Sequence, residues 1–478
     1  MNGTHAFLEA LVSSPVRRMG IHITAGRGSG KSRMMGRMIA FFDFLRGVPT
    51  VVIDPHGGTI DNFLDRMMRL PKSYQEKFWK RVIYVDMSGH WGKVIPLPFY
   101  VRYGDESYFE ISQRYLDVIY KMDPFLQTAS IQGWNPLWLT GTNLGMVLSA
   151  MNLQVPDAID LLTNPGAWEQ RLIEFRDLAP ELAPSVKYLL QLADMKSAER
   201  ERLTSSLFNK IAMFAFDPTL KAMVGAAHPG INWLEVEAER KIVLLDFRYI
   251  GSMTQRQFFL EWSLHNFLNY VLYRGPGKQV PFSLIIDELS ALFSVQGMAP
   301  QLFQADLDNM INVISRQYRL WLTICHQEHF QLPELVNQSL LSLGTQVFGV
   351  TRDREAAKAL AEYFFRYNPY WVRKYTPVWM SNFIGPFIVD HTSEEFTAEE
   401  QTLLHSYKFT DLKRFEFLIS TALDEGSYGT ELKYMTIDWF DRGLYPNERI
   451  LEDARRRLML RSGVSVQSVL AEIENRRS

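Results

Sequence analysis

Short apolar runs bounded by glycine, proline or charge read as strands, and longer stretches with apolar residues three and four apart read as helices. Runs of the first kind fall at residues 20–24, 50–54 and 82–86, and again at 241–247, 283–287, 320–325 and 345–350. Helical patterns lie between them, the clearest running from Lys31 to about Arg46. Alternation of this kind predicts a mostly parallel α/β sheet. From about Gly104 to Val236 the pattern is almost wholly helical, punctuated by Pro156, Pro165, Pro180, Pro184 and Pro218. The expected organisation is therefore an α/β domain begun by residues 1–103, interrupted by an all-helical insertion domain at 104–236, completed by 237–440 and followed by a helical tail at 441–478. No internal repeat or low-complexity stretch alters that division.

Composition agrees with a folded protein. The chain has 478 residues, 47% hydrophobic and 22% charged, and length alone suggests about three domains. One cysteine, Cys325, excludes a disulfide framework and fits a reducing cytosol. No apolar run approaches the roughly 18–20 residues of a spanning helix, and the N-terminus lacks a signal-peptide pattern. The expectation is a cytoplasmic protein without membrane insertion. Net charge is −2, which excludes the strongly basic style of nucleic-acid binding. By segment the picture changes: residues 1–103 carry 15 Lys/Arg against 7 Asp/Glu (+8), and 104–236 carry 10 against 16 (−6).

Chemistry concentrates first at Ala25-Gly26-Arg27-Gly28-Ser29-Gly30-Lys31-Ser32, between an apolar strand and a helix. Glycines let backbone N–H groups close around phosphates, and the helix N-terminus adds its positive dipole end. Lys31 would reach the β- and γ-phosphates of ATP, and the Ser32 hydroxyl would join a Mg²⁺ shell. Ala25 stands where this loop usually has its first glycine, which is tolerable if that position keeps a negative φ. Far along the chain, residues 284–288 form an apolar strand ending in Asp287-Glu288. Asp287 is the candidate to hold Mg²⁺, and Glu288 to orient and polarise the attacking water. Ligands of open parallel sheets sit outside the carboxyl ends of strands. That brings Asp54 and His56 (after the second strand) and Gln327 (after the strand at 320–325) to the same edge. Gln327 is the candidate sensor of the γ-phosphate; Asp54 reads either as a nucleotide-side residue or as the cap of a turn.

The ordered set resembles the FtsK–HerA superfamily of ring-forming DNA-pumping ATPases, and most of all the type IV secretion coupling proteins and their TraG/TraD-like relatives. The residues that carry the resemblance are AGRGSGKS at 25–32, VVIDPHGG at 51–58, RLTSSLFNKIAMFAFDPTLKAM at 202–223, KIVLLDF at 241–247, LIIDE at 284–288 and RQYRLWLTICHQ at 316–327. The resemblance implies a RecA-like ATPase fold with a helical insertion that faces protein partners, a homo-hexamer, and ATP, Mg²⁺ and DNA as ligands. It also implies an arginine that reaches the neighbouring subunit's ATP. Arg316 matches that place, with Arg319, Arg352 and Arg354 as competitors. Two family features are not seen here: the loop begins within the first 32 residues, where membrane-bound coupling proteins have spanning helices and HerA-like members a β-barrel.

Candidate contacts to nucleic acid are the basic residues 66–81 (Arg66, Arg69, Lys72, Lys77, Lys80 and Arg81 against Glu76) and the 294–302 loop with Gln296, Gly297 and Gln301. Residues 455–461, with Arg455, Arg456, Arg457 and Arg461, bind DNA or a partner, or pair with Glu452 and Asp453. Cys325, His326 and His329 make poor zinc geometry. The readings that follow are an ATP-driven DNA translocase, a nucleotide-gated recruitment factor acting through its acidic helical domain, or a motor for protein substrates.

Overall fold

The computed structural model describes residues 11–122, 131–277, 280–293, 306–327, 332–382, 385–421, 433–436 and 446–477. A short helix α1 (Ser14–Met19) leads into β1 (Ile21–Thr24), and the helix after it, α2, runs as Lys31–Met34, a wider π turn over Met35–Ala40, and Phe41–Leu45. Then come β2 (Thr50–Asp54), α3 (Gly58–Met68), α4 (Lys72–Trp79) and β3 (Val82–Asp86). After the helical region lie β4 (Ile242–Asp246), α5 (Met253–Tyr273), β5 (Phe282–Ile286), β6 (Leu320–His326) and β7 (Thr345–Phe348). β8 (Val372–Asn382), β9 (Gly385–Glu395), β10 (Glu416–Thr421) and β11 (Lys433–Thr436) precede two last helices, α6 (Glu448–Ser462) and α7 (Val466–Arg477).

Nine strands form one sheet in the order β11-β10-β7-β1-β6-β5-β2-β4-β3. The seven from β7 to β3 are parallel, and β10 and β11 close one edge antiparallel. Parallel strands are covered by helices on both faces and so read as continuous apolar runs. The five residues of β2, β3, β4 and β5 are accordingly all buried. Register sets Asp54 of β2, Asp246 of β4 and Asp86 of β3 level with one another, and Asp287 follows β5 at the same height. A row of carboxylates thus marks one edge of the sheet.

The helical stretch, from Tyr108–Met122 to Trp233–Ala238, contains no sheet strand among the described residues. Pro156, Pro165, Pro180, Pro184 and Pro218 each open a helix, where a missing N–H costs nothing, whereas Pro136 lies inside the Ile131–Ala150 helix. It is fastened to the sheet side by aromatic packing: Phe99 lies 4.6 Å from Trp262 and 4.8 Å from Tyr115, and Phe214 lies 4.8 Å from Phe258.

The C-terminal helices are not free. α6 packs on β3 and α3, α7 packs on the Pro218–Gly225 helix, and Val464–Ser465 pairs with Lys93–Val94. Two members of the arginine run, Arg455 and Arg461, serve this docking, while Arg456 and Arg457 are exposed. Arg455 is buried and pairs with Asp61 and Glu448, in place of the expected Glu452 and Asp453. Arg461 donates to the carbonyls of Trp79 and Val82. The antiparallel β8–β9 hairpin stands outside the main sheet with Tyr375, Trp379 and Met380 exposed. Among the described residues no helix is long and apolar enough to cross a membrane.

Candidate active site

The loop at 25–32 turns from the end of β1 into α2. Gly28 and Gly30 hold φ of 81° and 104°, a region closed to most side chains, so the glycine spacing is a backbone requirement. Ala25 takes no positive φ. Its methyl group is accommodated across the sheet by Gly349, where any Cβ would stand 2.5 Å from that of Ala25. The loop is held from outside as well: Gly26 N–H donates to the Val350 carbonyl at 2.8 Å, and Phe415 N–H to the Ser29 carbonyl at 3.0 Å. Lys31 is mostly buried and turns its ammonium back over the loop, 2.7 Å from the Ala25 carbonyl. The Ser29 hydroxyl is buried with no partner among the described residues.

Ser32 brings the loop to β5. Its hydroxyl donates to Asp287 at 2.9 Å, and the Thr59 hydroxyl donates to the same carboxylate oxygen at 2.8 Å. Burial pushes the Asp287 carboxyl up, against the pull of the Thr59 and Ser32 hydroxyls and of Lys31. Glu288 follows at φ 63°, a left-handed conformation that a glutamate adopts at a cost of about 1–3 kcal/mol. It is buried, takes a hydrogen bond from the Ser290 hydroxyl, and lines a cavity of about 210 Å³ with His56, Arg256 and Gln327. A second cavity, about 550 Å³, opens over the loop and is lined by Arg27, Ser29, Gln327, Arg352 and Arg414. Gln327 borders both.

Asp54 caps the turn after β2. One oxygen accepts from the N–H groups of His56 (3.0 Å) and Gly57 (2.6 Å), the other from Thr59 (2.8 Å) and Ile60 (3.0 Å). It is fully buried and fixes the turn that presents Thr59. Burial, with the negative charges of Asp287 and Asp246 nearby, pushes its carboxyl up to about 8. Arg248 braces the same turn, bonding Asp246, Asp61 and the Gly57 carbonyl.

Arg316 lies apart. It is exposed in the single turn before β6, at the opposite end of that strand from Gln327. Seven residues of strand separate the two, about 20 Å. Within one chain Arg316 cannot meet the loop, while Arg352 and Arg414 do border it.

The candidate nucleic-acid segments divide. Of the basic residues at 66–81, Arg66 lies over the Phe41 ring, Arg69 pairs with Asp65 and Arg81 bonds the Phe44 and Arg240 carbonyls, while Lys72, Lys77 and Lys80 are exposed. The 294–302 loop and His329 lie outside the described residues. Cys325 is buried in β6, and burial holds its thiol well above the ordinary range. His326 points its Nε2 at His22, 2.8 Å away.

Thr59, Arg414 and Phe415 escaped the sequence reading. Thr59 adjoins the recognised 51–58 motif by one residue, so its position was legible; Arg414 and Phe415 reach the loop only through the turn before β10.

The donor set fits its ligands. Hydroxyl and carboxylate oxygens from Ser32, Thr59 and Asp287 suit a small hard cation such as Mg²⁺. The Ser29 hydroxyl, unpaired among the described residues and bordering the larger cavity, and Lys31, turned back over the loop, suit phosphate oxygens. The class this defines is a RecA-like α/β ATPase fold, with a mostly parallel sheet, an all-helical insertion and C-terminal helices. Among solved structures, the fold is similar to a bacterial conjugative coupling protein, TrwB. The unbound form (TrwBdeltaN70) aligns at a TM-score of 0.55 and 13% identity over 89% of this chain and 86% of that one. TrwB with ADP and Mg²⁺, and with the non-hydrolysable ATP analogue ADPNP, gives the same score and identity over 89% of each chain. No family model and no curated protein matches the chain.

Proposed function

We propose that the chain is an ATP-hydrolysing, ring-forming motor that binds and translocates DNA in the manner of a coupling protein. The observation that carries this is the placement of Gln327 between the loop's cavity and that of Glu288, beside the Ser32–Asp287 contact. A γ-phosphate in the larger cavity would be met by Gln327, and Lys31 of the same loop would supply positive charge to it. Glu288, held by its strained backbone, would take the proton of the attacking water. Mg²⁺ held by Ser32 and Asp287 would supply charge neutralisation on the β- and γ-phosphates. Gly26, Arg27, Gly28, Ser29 and Gly30 would bind phosphate through backbone and side chain, and Asp54 would position the turn behind them. Arg316, on the far edge, is suited to a neighbouring subunit's nucleotide rather than its own.

The division at 103/104, 236/237 and 440/441 belongs to the same proposal, with the acidic insertion as the face for a basic protein partner. Exposure of Leu178 and Phe216 on that insertion supports it.

The test is ATP hydrolysis with and without single- and double-stranded DNA, with the particle mass measured alongside. DNA should stimulate hydrolysis, and Lys31→Ala should abolish it. Glu288→Gln should lower turnover by about 10²-fold or more while nucleotide still binds. Rings whose hydrolysis ignores DNA would remove the translocase reading.

A further inference from the structure

The edge of the sheet opposite the nucleotide loop carries its own concentration of charge. Because the strands are parallel, their N-terminal ends all lie there, and arginines precede three of them: Arg81 before β3, Arg240 before β4 and Arg319 before β6. Near the middle of this edge is a cavity of about 520 Å³ whose lining includes Arg18 from α1, Arg46 from the end of α2, Arg240, Arg319 and Trp321. Among the described residues none that lines it is acidic.

We propose that this cavity is a second phosphate-binding site, distinct from the 25–32 loop, for a phosphodiester backbone or a small phosphate compound. Arg18, Arg46 and Arg240 bring three guanidinium groups to one opening, where they repel one another and a bound oxyanion relieves that repulsion; Arg319 beside them has a partner of its own. Burial and the charge of Arg240 already press the neighbouring Arg81 below its ordinary range. Guanidinium groups match phosphate oxygens with paired, charge-assisted hydrogen bonds. Two donors here have no hydrogen-bond partner among the described residues: the indole Nε1–H of Trp321, a side chain only 4% exposed, and Nη1 of Arg240. Trp321 is held in place by the Arg17 guanidinium over its ring, 5.8 Å from the centroid. Arg18 and Arg46 are exposed, and Arg46 gives one N–H to the Val12 carbonyl; among the described residues their remaining donors are open to a ligand. An anion fits this set, and a cation or an apolar ligand does not.

The inference does not rest on the motor reading: hydrolysis indifferent to DNA would end that reading and leave this pocket standing. The test uses the full chain with Lys31→Ala, which weakens the loop site, titrated with inorganic pyrophosphate and with a labelled single-stranded oligonucleotide. At least one probe should bind, and more weakly as salt rises. Adding Arg18→Ser and Arg46→Ser should lower that affinity about tenfold or more, whereas Arg18→Lys with Arg46→Lys should keep most of it. Binding of the oligonucleotide alone assigns the site to a polymer backbone; binding of pyrophosphate alone assigns it to a small phosphate compound. Thermal melting establishes that the serine variant is folded; if it is not, single Arg18→Gln and Arg46→Gln variants replace it under the same criterion. The proposal is overturned if neither probe binds the Lys31→Ala chain, or if removing the arginines leaves both affinities unchanged.

Discussion

Thr59 donates its hydroxyl to the same Asp287 oxygen that receives the Ser32 hydroxyl, at 2.8 and 2.9 Å. Asp287 is buried, and a carboxylate enclosed this way depends on its donors for both charge and direction. Removing one of them turns the carboxylate without changing the loop. Thr59→Val keeps the shape and deletes the donor, so it should weaken Mg²⁺-dependent nucleotide binding by about tenfold or more, as loss of a partner behind a metal ligand does. A magnesium titration of nucleotide binding checks this, and an unchanged midpoint would show that Ser32 alone holds Asp287. Metal-free binding should change little, which separates the effect from damage to the fold. Glu288 shows the opposite economy: its position is set by backbone strain, so a side-chain change there alters chemistry and leaves the carboxylate row where it is.

At the scale of elements, α1 is tied to the sheet by a polar cluster with no solvent around it. Arg17 donates to Asp43 at 2.7 Å, Thr323 at 2.6 Å and Ser283 at 3.0 Å, and both charged side chains are wholly buried. Breaking such a pair from one side strands a charge, so Asp43→Ala should cost about 3–5 kcal/mol in denaturant unfolding, while Arg17→Met with Asp43→Leu should recover most of it. If the single variant loses no more than the double, the pair is not a coupled unit. This cluster also shows where sequence reading stops. The Arg17-Arg18 pair looks like ordinary surface, and only the fold separates the buried Arg17 from the exposed Arg18. The strands of the parallel sheet were legible to within about two residues at each end, because burial on both faces leaves an apolar run with sharp borders. The β8–β9 hairpin was not, because it has no core face to imprint a period: Tyr375, Trp379 and Met380 are exposed. The loop, Asp287, Glu288 and Gln327 were legible because each ends a strand at one edge. Arg414 and Phe415 were not, since no local pattern signals a turn that touches another loop.

For the whole molecule, the net charge of −2 conceals a row of carboxylates at one edge of the sheet and a group of arginines at the other. Asp54, Asp86, Asp246 and Asp287 line the carboxyl edge, while Arg81, Arg240 and Arg319 line the other. Asp246 is neutralised by Arg248 at 2.8 Å. Among the described residues Asp54 has no such cation, and burial pushes its carboxyl up to about 8; burial raises Asp86 as well, against the Ser88 hydrogen bonds. In the unfolded chain both titrate near 3.8. Between that value and about 8 the folded protein therefore holds more protons than the unfolded one, and stability must fall as pH rises through the window. Without nucleotide or Mg²⁺, the chain should melt at a higher temperature at pH 5 than at pH 8. Asp54→Asn removes the titrating group and should flatten this slope, even though it lowers stability at every pH by weakening the capped turn. A melting temperature that is level or rises from pH 5 to pH 8 would mean that the carboxylates of this edge are already ionised in the empty protein. The row would then be held by counter-charge rather than by shared protons.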